Sequence, residues 1–153
     1  MAWTSTVPAA INALVQSFTV APELDGVTVM DGPAIGSQAV GQVLSVGYTA
    51  VPGETAVEAQ SEPDGLAGDP GQEQYVVRCT AAVIGGSTDT KAVREAAYEI
   101  LSAAGTVLVR DQRLGGVVTR ASVGGHSMMP EQTGRGAQCM IVFEVEVIAF
   151  TRR

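Results

Sequence analysis

The apolar and polar positions of this chain fall into two periods. Over Val7 to Phe18, the residues Ile11, Leu14, Val15 and Phe18 recur at i, i+3, i+4 and i+7, which predicts an amphipathic helix. Thr6 can cap its start. Pro8 falls in the first turn, where a missing N–H does no harm, and Pro22 marks the end. Trp3 precedes the helix and is placed to pack against it. Gly26 to Pro33 then reads as a short strand closed by a turn, and Gln42 to Thr49 as a second. From Pro52 to Gln72 the apolar period vanishes. This stretch holds Pro-Gly, Pro-Asp-Gly and Asp-Pro-Gly, with five acids and no base, and reads as a long acidic loop at about 49–72. It would be mobile in the free protein or serve as a binding arm, and a strand-like portion near Thr55 to Gln60 stays open.

Strict alternation returns at Glu73 to Ile84. Tyr75, Val77, Cys79, Ala81 and Val83 point one way, and Val76, Arg78, Thr80, Ala82 and Ile84 the other. Gly85-Gly86-Ser87 breaks this strand. Thr88 to Ala104 is the clearest helix, with Val93, Ala96, Ala97, Ile100, Leu101 and Ala104 in one stripe. Residues 87–90 offer caps, and Gly105 suits the position just past its C-terminus. Val117 to Val123 alternates as a strand, and Gly124-Gly125 with Met128 to Gly136 reads as a further loop. Ala137 to Phe150 is the longest strand, with Glu144, Glu146, Ile148 and Phe150 on one face and Cys139, Ile141, Phe143 and Val145 on the other. The order is α-β-β-loop-β-α-β-β. It predicts a single α+β domain over 1–153, a two-layer fold with a mixed, mainly antiparallel sheet and two helices packed on one face.

Composition narrows the class. The 153 residues are 46% hydrophobic, enough to build a core, and only 16% charged against an average of about 25%. No apolar run approaches ~20 residues, and the first residues lack the basic-then-apolar pattern of a signal peptide, so a product of the cytoplasm with no membrane contact is expected. Charge is divided unevenly. Met1 to Val77 carries nine acids and no Lys or Arg, whereas Arg78 onward carries seven acids and nine bases. The halves stand at −9 and +2, for a net −7. A phosphate backbone needs clustered cations, so sequence-specific DNA binding is not expected.

Candidate chemistry is sparse. His126 is the only histidine, in a Gly-Gly-His-Ser run with no acid beside it, and Cys79 and Cys139 sit on apolar strand faces as small core residues do. No metal site and no cofactor is expected. Glu144 and Glu146 face the same way, and cross-strand pairing with Arg78 and Arg120 accounts for them better than paired acid–base catalysis. There is no Gly-x-Ser-x-Gly, no Gly-x-x-x-x-Gly-Lys and no Gly-x-Gly-x-x-Gly after a strand. The expectation is an interaction protein and not an enzyme. Its candidate interface comprises Glu54, Glu58, Glu62, Asp64 and Asp69 from the acidic stretch, with Arg78, Arg120, Glu144, Glu146 and Phe150 from the strands.

Several stretches in combination resemble the tail terminator, or tail completion, proteins of long-tailed bacteriophages of actinobacteria. They are Val7-Pro8-Ala9-Ala10-Ile11-Asn12-Ala13-Leu14, then Val27 to Pro33, Glu73-Gln74-Tyr75-Val76-Val77-Arg78-Cys79, the helix Val93 to Ala104, and Arg113-Leu114-Gly115-Gly116-Val117-Val118. The closing stretch, Pro130 to Ala137 followed by Ile141-Val142-Phe143-Glu144-Val145, is the most similar. The resemblance implies a virion protein of the tail or neck, made in the host cytoplasm. It implies a homo-oligomeric ring, in the family a hexamer, that caps the tail-tube protein, stops its polymerisation and presents a head–tail joining surface to the connector protein. DNA would pass through without specific binding; six copies would carry about −42, a wall that repels it. A neighbouring neck or head-completion protein and a tail-tube subunit are the nearest alternatives. A small α+β hydrolase or ligand-binding module is the remote one.

Overall fold

Alternation is strongest in the two strands that form the centre of the sheet. A computed structural model of the chain describes residues 4–33, 41–64, 69–85, 88–134 and 136–151. The elements are α1 (Val7–Val20), a 3-10 turn (Pro22–Leu24), β1 (Thr28–Asp31), β2 (Gly41–Val46), β3 (Val57–Asp64), β4 (Asp69–Ile84), α2 (Thr90–Arg110), a second 3-10 turn (Leu114–Gly116), β5 (Arg120–Thr133) and β6 (Gly136–Phe150). The sheet runs β1-β2-β4-β6-β5, with β3 also paired to β4. All pairings are antiparallel except β1 with β2. Strand β4 is long enough to serve two neighbours along one edge: Val46 to Gly41 pair with Cys79 to Ile84, and β3 pairs with the other end. The α+β class is as the patterning predicts.

The core faces of β4 and β6 alternate as read. Tyr75, Val77, Cys79, Ala81, Cys139, Ile141, Phe143, Val145 and Val147 are buried in one cluster. Onto it pack Ala10, Leu14 and Phe18 of α1, and Val93, Ala97, Ile100, Leu101, Ala104, Val107 and Leu108 of α2. Burying a Phe or Leu side chain contributes about 1.5–3 kcal/mol, so this one cluster holds both helices to the same face. Arg110 at the end of α2 forms a two-pronged ion pair with Glu23 of the first 3-10 turn, and that pairing holds the Glu23 carboxyl below its ordinary range. Among the described residues no helix is long and apolar enough to cross a membrane.

Four local expectations are corrected. The acidic stretch is not one loop over 49–72. Strand β4 begins already at Asp69, and Val57–Asp64, which takes in most of the portion left open near Thr55 to Gln60, is a strand in register with β4 from Val57↔Val77 to Asp64↔Asp69, with an irregularity at Glu62/Pro63. Its side chains from Glu58 to Glu62 are exposed, so backbone pairing, and not a buried face, holds it. Residues 65–68 lie outside the described set. Helix α2 does not stop before Gly105 but continues to Arg110, because Val107 and Leu108 extend the buried stripe. The stretch from Gly124 to Thr133 belongs to strand β5, whose register slips between Val123 and His126. The glycine pair is a bulge within the strand, not a break. Finally, Thr6 occupies the cap position of α1 but makes no capping bond with its own side chain. Asp89 does cap α2, accepting from the Ala92 N–H. Trp3 lies outside the described residues.

The start of α1 is held from a distance. Glu73, on the core face of β4 and 1% exposed, accepts from the Thr6 N–H and Thr6 Oγ1, each at 2.5 Å, and from Ser5 Oγ at 2.9 Å. The Tyr75 hydroxyl reaches Thr6 Oγ1 at 2.9 Å, and burial pushes the Tyr75 hydroxyl up to about 12. A carboxylate from the sheet thereby does the work of a helix cap.

Candidate functional site

With both helices on one face, the even-numbered side chains of β4 and β6 face the other way. Cross-strand register sets them in rows. Gln60, Gln74, Ile148 and Arg120 form one row, and Glu58, Val76, Glu146 and Ser122 the next. Arg78 and Glu144 face each other in a third. Beyond the first row, Glu62, Gln72 and Phe150 line up at the rim, where the Phe150 side chain is 67% exposed.

Arg78 is the hub of this face. Its side chain is 15% exposed, and Nη1 donates to the Thr55 carbonyl at 2.9 Å, to Thr55 Oγ1 at 2.8 Å and to Glu58 Oε1 at 3.2 Å. Its Nη2 lies 3.4 Å from Glu144 Oε2. The Thr55 hydroxyl, which donates to Glu58 at 3.1 Å, and then the Arg78 guanidinium hold the Glu58 carboxyl below its ordinary range. The sequence-predicted pair Arg78–Glu144 is therefore present. The companion pair, Arg120 with Glu146, is not: Arg120 stands opposite Ile148, one side-chain row away, and no ion pair joins them among the described residues.

Glycine shapes the neighbourhood of the two glutamates. A Cβ at Gly124 would lie 2.6 Å from Glu146 Oε1 and 2.7 Å from its Cδ, so the Glu146 side chain rests on the bare backbone of the bulge. At Gly125 the nearest atom is Glu144 Oε1, at 3.6 Å. Three open hollows follow along this face. The largest, about 690 Å³, is bounded by Glu58, Gln60, Gln74, Val76, Glu146 and Ile148. A second of about 300 Å³ lies among Glu54, Arg78, His126, Ser127, Val142 and Glu144, and a third of about 130 Å³ among Arg120, Ser122, Glu146 and Ile148.

Eight of the ten sequence-predicted residues thus border this face or its rim: Glu54, Glu58, Glu62, Arg78, Arg120, Glu144, Glu146 and Phe150. Asp64 and Asp69 pair at the far end of the β3–β4 hairpin, and their side chains lie outside the described set. His126, which has no acid next to it in sequence, shares its hollow with Glu54 and Glu144 and contacts the Tyr98 hydroxyl at 3.2 Å through Nε2. No group of three or more His, Cys, Asp or Glu among the described residues is placed to hold a metal. Cys79 and Cys139 are buried and free. Their ladder partners, Phe143 and Val83, set them four residues apart along the strands, or about 13 Å. Burial pushes the Cys79 thiol up to about 12 and raises that of Cys139, where Arg94 opposes the shift.

The Glu73 clamp and the bulge are the features that sequence reasoning missed. Parity alone carried a signal for the first, since Glu73 lies two and four residues before Tyr75 and Val77 on the core face. The chain matches no protein-family model, and no curated protein matches it.

Proposed function

We propose that this protein is a structural subunit of a long phage tail: a homo-oligomeric ring that caps the tail tube, ends its growth and offers a joining surface to the head-side connector. The observation that carries this reading is the sheet face on which neither helix packs. Both helices pack on the opposite side, leaving a face on which ion-paired Arg78, Glu58 and Glu144 alternate with half-buried Val76 and Ile148 and the exposed Phe150. A face of mixed charge and apolar side chains, rimmed by polar residues, suits docking against a partner subunit. The acidic strand β3 at its margin supports a surface past which DNA slides without adhering.

Native mass spectrometry at micromolar concentration tests the ring, with and without purified tail tubes. A closed ring that stops at one layer on the tube end is the expected result. A strict monomer under both conditions refutes the proposal. A filament without limit assigns the protein to the tube itself, and attachment to heads but not tails assigns it to the neck. One observation favours a ligand-binding module instead. The 300 Å³ hollow gathers His126, Ser127, Glu54, Glu144 and Arg78 from four separate segments. Saturable binding of a small polar ligand, lost in His126→Ala, would replace the ring reading with that one.

A further inference from the structure

We infer that the 690 Å³ trough between β3, β4 and β6 receives the C-terminal segment of a second copy of this chain, an arginine of its Arg152-Arg153 pair lying on Glu146 and its Phe150 ring against Val76 and Ile148. The trough has a floor of half-buried Val76 and Ile148, a facing pair of amides in Gln60 and Gln74, and two carboxylates, Glu58 and Glu146, with no base among the residues that line it. Such a site fits a segment that is apolar at one point and cationic at the next.

The two carboxylates are not equivalent. Glu58 is engaged by Arg78 and Thr55. Glu146 has no ion pair within 4.0 Å among the described residues, and the Gly124 backbone beneath it leaves its carboxylate lying along the strand surface. A guanidinium from outside meets there an acceptor that no neighbouring arginine has taken, in a geometry open to a two-pronged pair.

The matching segment is in the chain itself. Arg152-Arg153 is its only pair of adjacent bases, and it follows Phe150, the most exposed aromatic among the described residues, by one residue. Phe150 and Thr151 are held away from the Glu146 end of their own trough. Phe150 pairs with Gln72, and the Thr151 N–H donates to the Gly71 carbonyl, so the ladder holds the chain out to a point five residues past Glu146, about 16 Å along the strand. Returning would require breaking those bonds, whereas a neighbouring copy can present the same segment directly. Segment and trough lie side by side on one face; repeated around an axis the contact closes a ring, and a reciprocal two-fold dimer in the test below would refute that closure.

This deepens the ring reading by naming its contact. The test is sedimentation velocity on the full-length protein across a micromolar concentration series. R152Q/R153Q and E146Q should each weaken self-association by about 10-fold, or ~1.4 kcal/mol. Combining them should cost little more than either alone, since they remove the same contact. An excess of the peptide Ile-Ala-Phe-Thr-Arg-Arg should dissociate the assembly, and raised salt should do so more readily for wild type than for the variants. If E146Q misfolds by circular dichroism, R152Q/R153Q, beyond the last strand, still decides. Wild-type association in R152Q/R153Q would overturn the contact and leave the ring standing. A wild-type chain that is monomeric with and without tail tubes would overturn both.

Discussion

Removing the Glu73 carboxylate should cost the protein much of its stability, although its side chain lies on the opposite side of the sheet from the charged face. In Glu73→Ala the Thr6 N–H loses its acceptor inside a region where Thr6 is itself buried. A buried donor left without a partner costs about 1–3 kcal/mol, and more where the lost partner was charged. The first turn of α1 also loses an anion at its positive end, about 0.3–2 kcal/mol. Thr6 Oγ1 keeps the Tyr75 hydroxyl, and Ser5, only partly buried, can turn to water, so neither adds much. The sum is about 2–5 kcal/mol. At about 2–4 °C per kcal/mol for a domain of this size, Tm should fall by roughly 5–20 °C. Glu73→Gln discriminates the mechanism from simple loss of volume. Both Thr6 bonds end on Oε1, and the Ser5 hydroxyl on Oε2 can reverse to accept from an amide. The amide should therefore keep the geometry and lose about half as much as alanine does. Urea titration followed by circular dichroism reads both. Equal losses for Gln and Ala, or an Ala variant within about 0.5 kcal/mol of wild type, would refute the clamp.

Three other outcomes follow from particular positions. Gly105→Ala should stabilise α2 by about 0.4–1 kcal/mol in the same titration, because alanine is the better helix former and the new Cβ would meet Val123 Cγ2 at an ordinary 3.9 Å. A loss would mean the helix packs more tightly there than its geometry indicates. Gly124→Ala should cost up to about 1.5 kcal/mol, since the added Cβ would lie within 3.0 Å of Glu146 Cγ, Cδ and Oε1 and drive that side chain to another rotamer, and it should weaken self-association as E146Q does. Alkaline stability should fall between about pH 9 and 12. Cys79 and Tyr75 hold their protons to about 12 when folded, whereas the unfolded chain releases them near 9 and 10, so above pH 9 the folded state binds more protons and rising pH favours unfolding. The slope is at most about 1.4 kcal/mol per pH unit for each group, and a flat urea midpoint over that window would contradict it.

The elements that could be read from the sequence are those whose pattern is enforced by burial. Helix α1 and strands β4 and β6 alternate or repeat because one face of each lies in the core, so Leu14, Phe18, Tyr75 and Phe143 announce their own periods. Three misreadings come from tertiary contacts that a local signal does not carry. In β3 the side chains from Glu58 to Glu62 are exposed, and the strand is carried along its length by the β4 backbone, which sequence patterning does not register, with Val57 against the core and Arg78 on Glu58 at one end. In β5 a glycine pair reads as a break, yet the partner strand β6 carries the ladder past it. In α2 the glycine at 105 is a stop signal in isolation, and it is overruled by two buried side chains that follow, Val107 and Leu108. In each case a local signal of known sign lost to a tertiary contact of larger size.

The charged face obeys a related limit. Strand parity is enough to say that Arg78, Glu144 and Glu146 share a side, and it made the Arg78–Glu144 pair legible. Parity does not fix register, and a slip of two residues keeps every side chain on its face while changing every partner. That slip separates Arg120 from Glu146, setting it opposite Ile148. Composition alone was also enough to show that the first half of the chain is acidic, but not that Glu58 and Glu62 stand on a strand whose outer edge pairs with none of the described residues. Charges there act on two levels. They repel a second edge that would otherwise extend the sheet without limit, and they leave the broad face, not the edge, as the place where another subunit can settle. An acidic edge beside a face on which Glu146 makes no ion pair among the described residues is therefore a directional arrangement: it discourages the generic contact between strands and leaves room for a specific one.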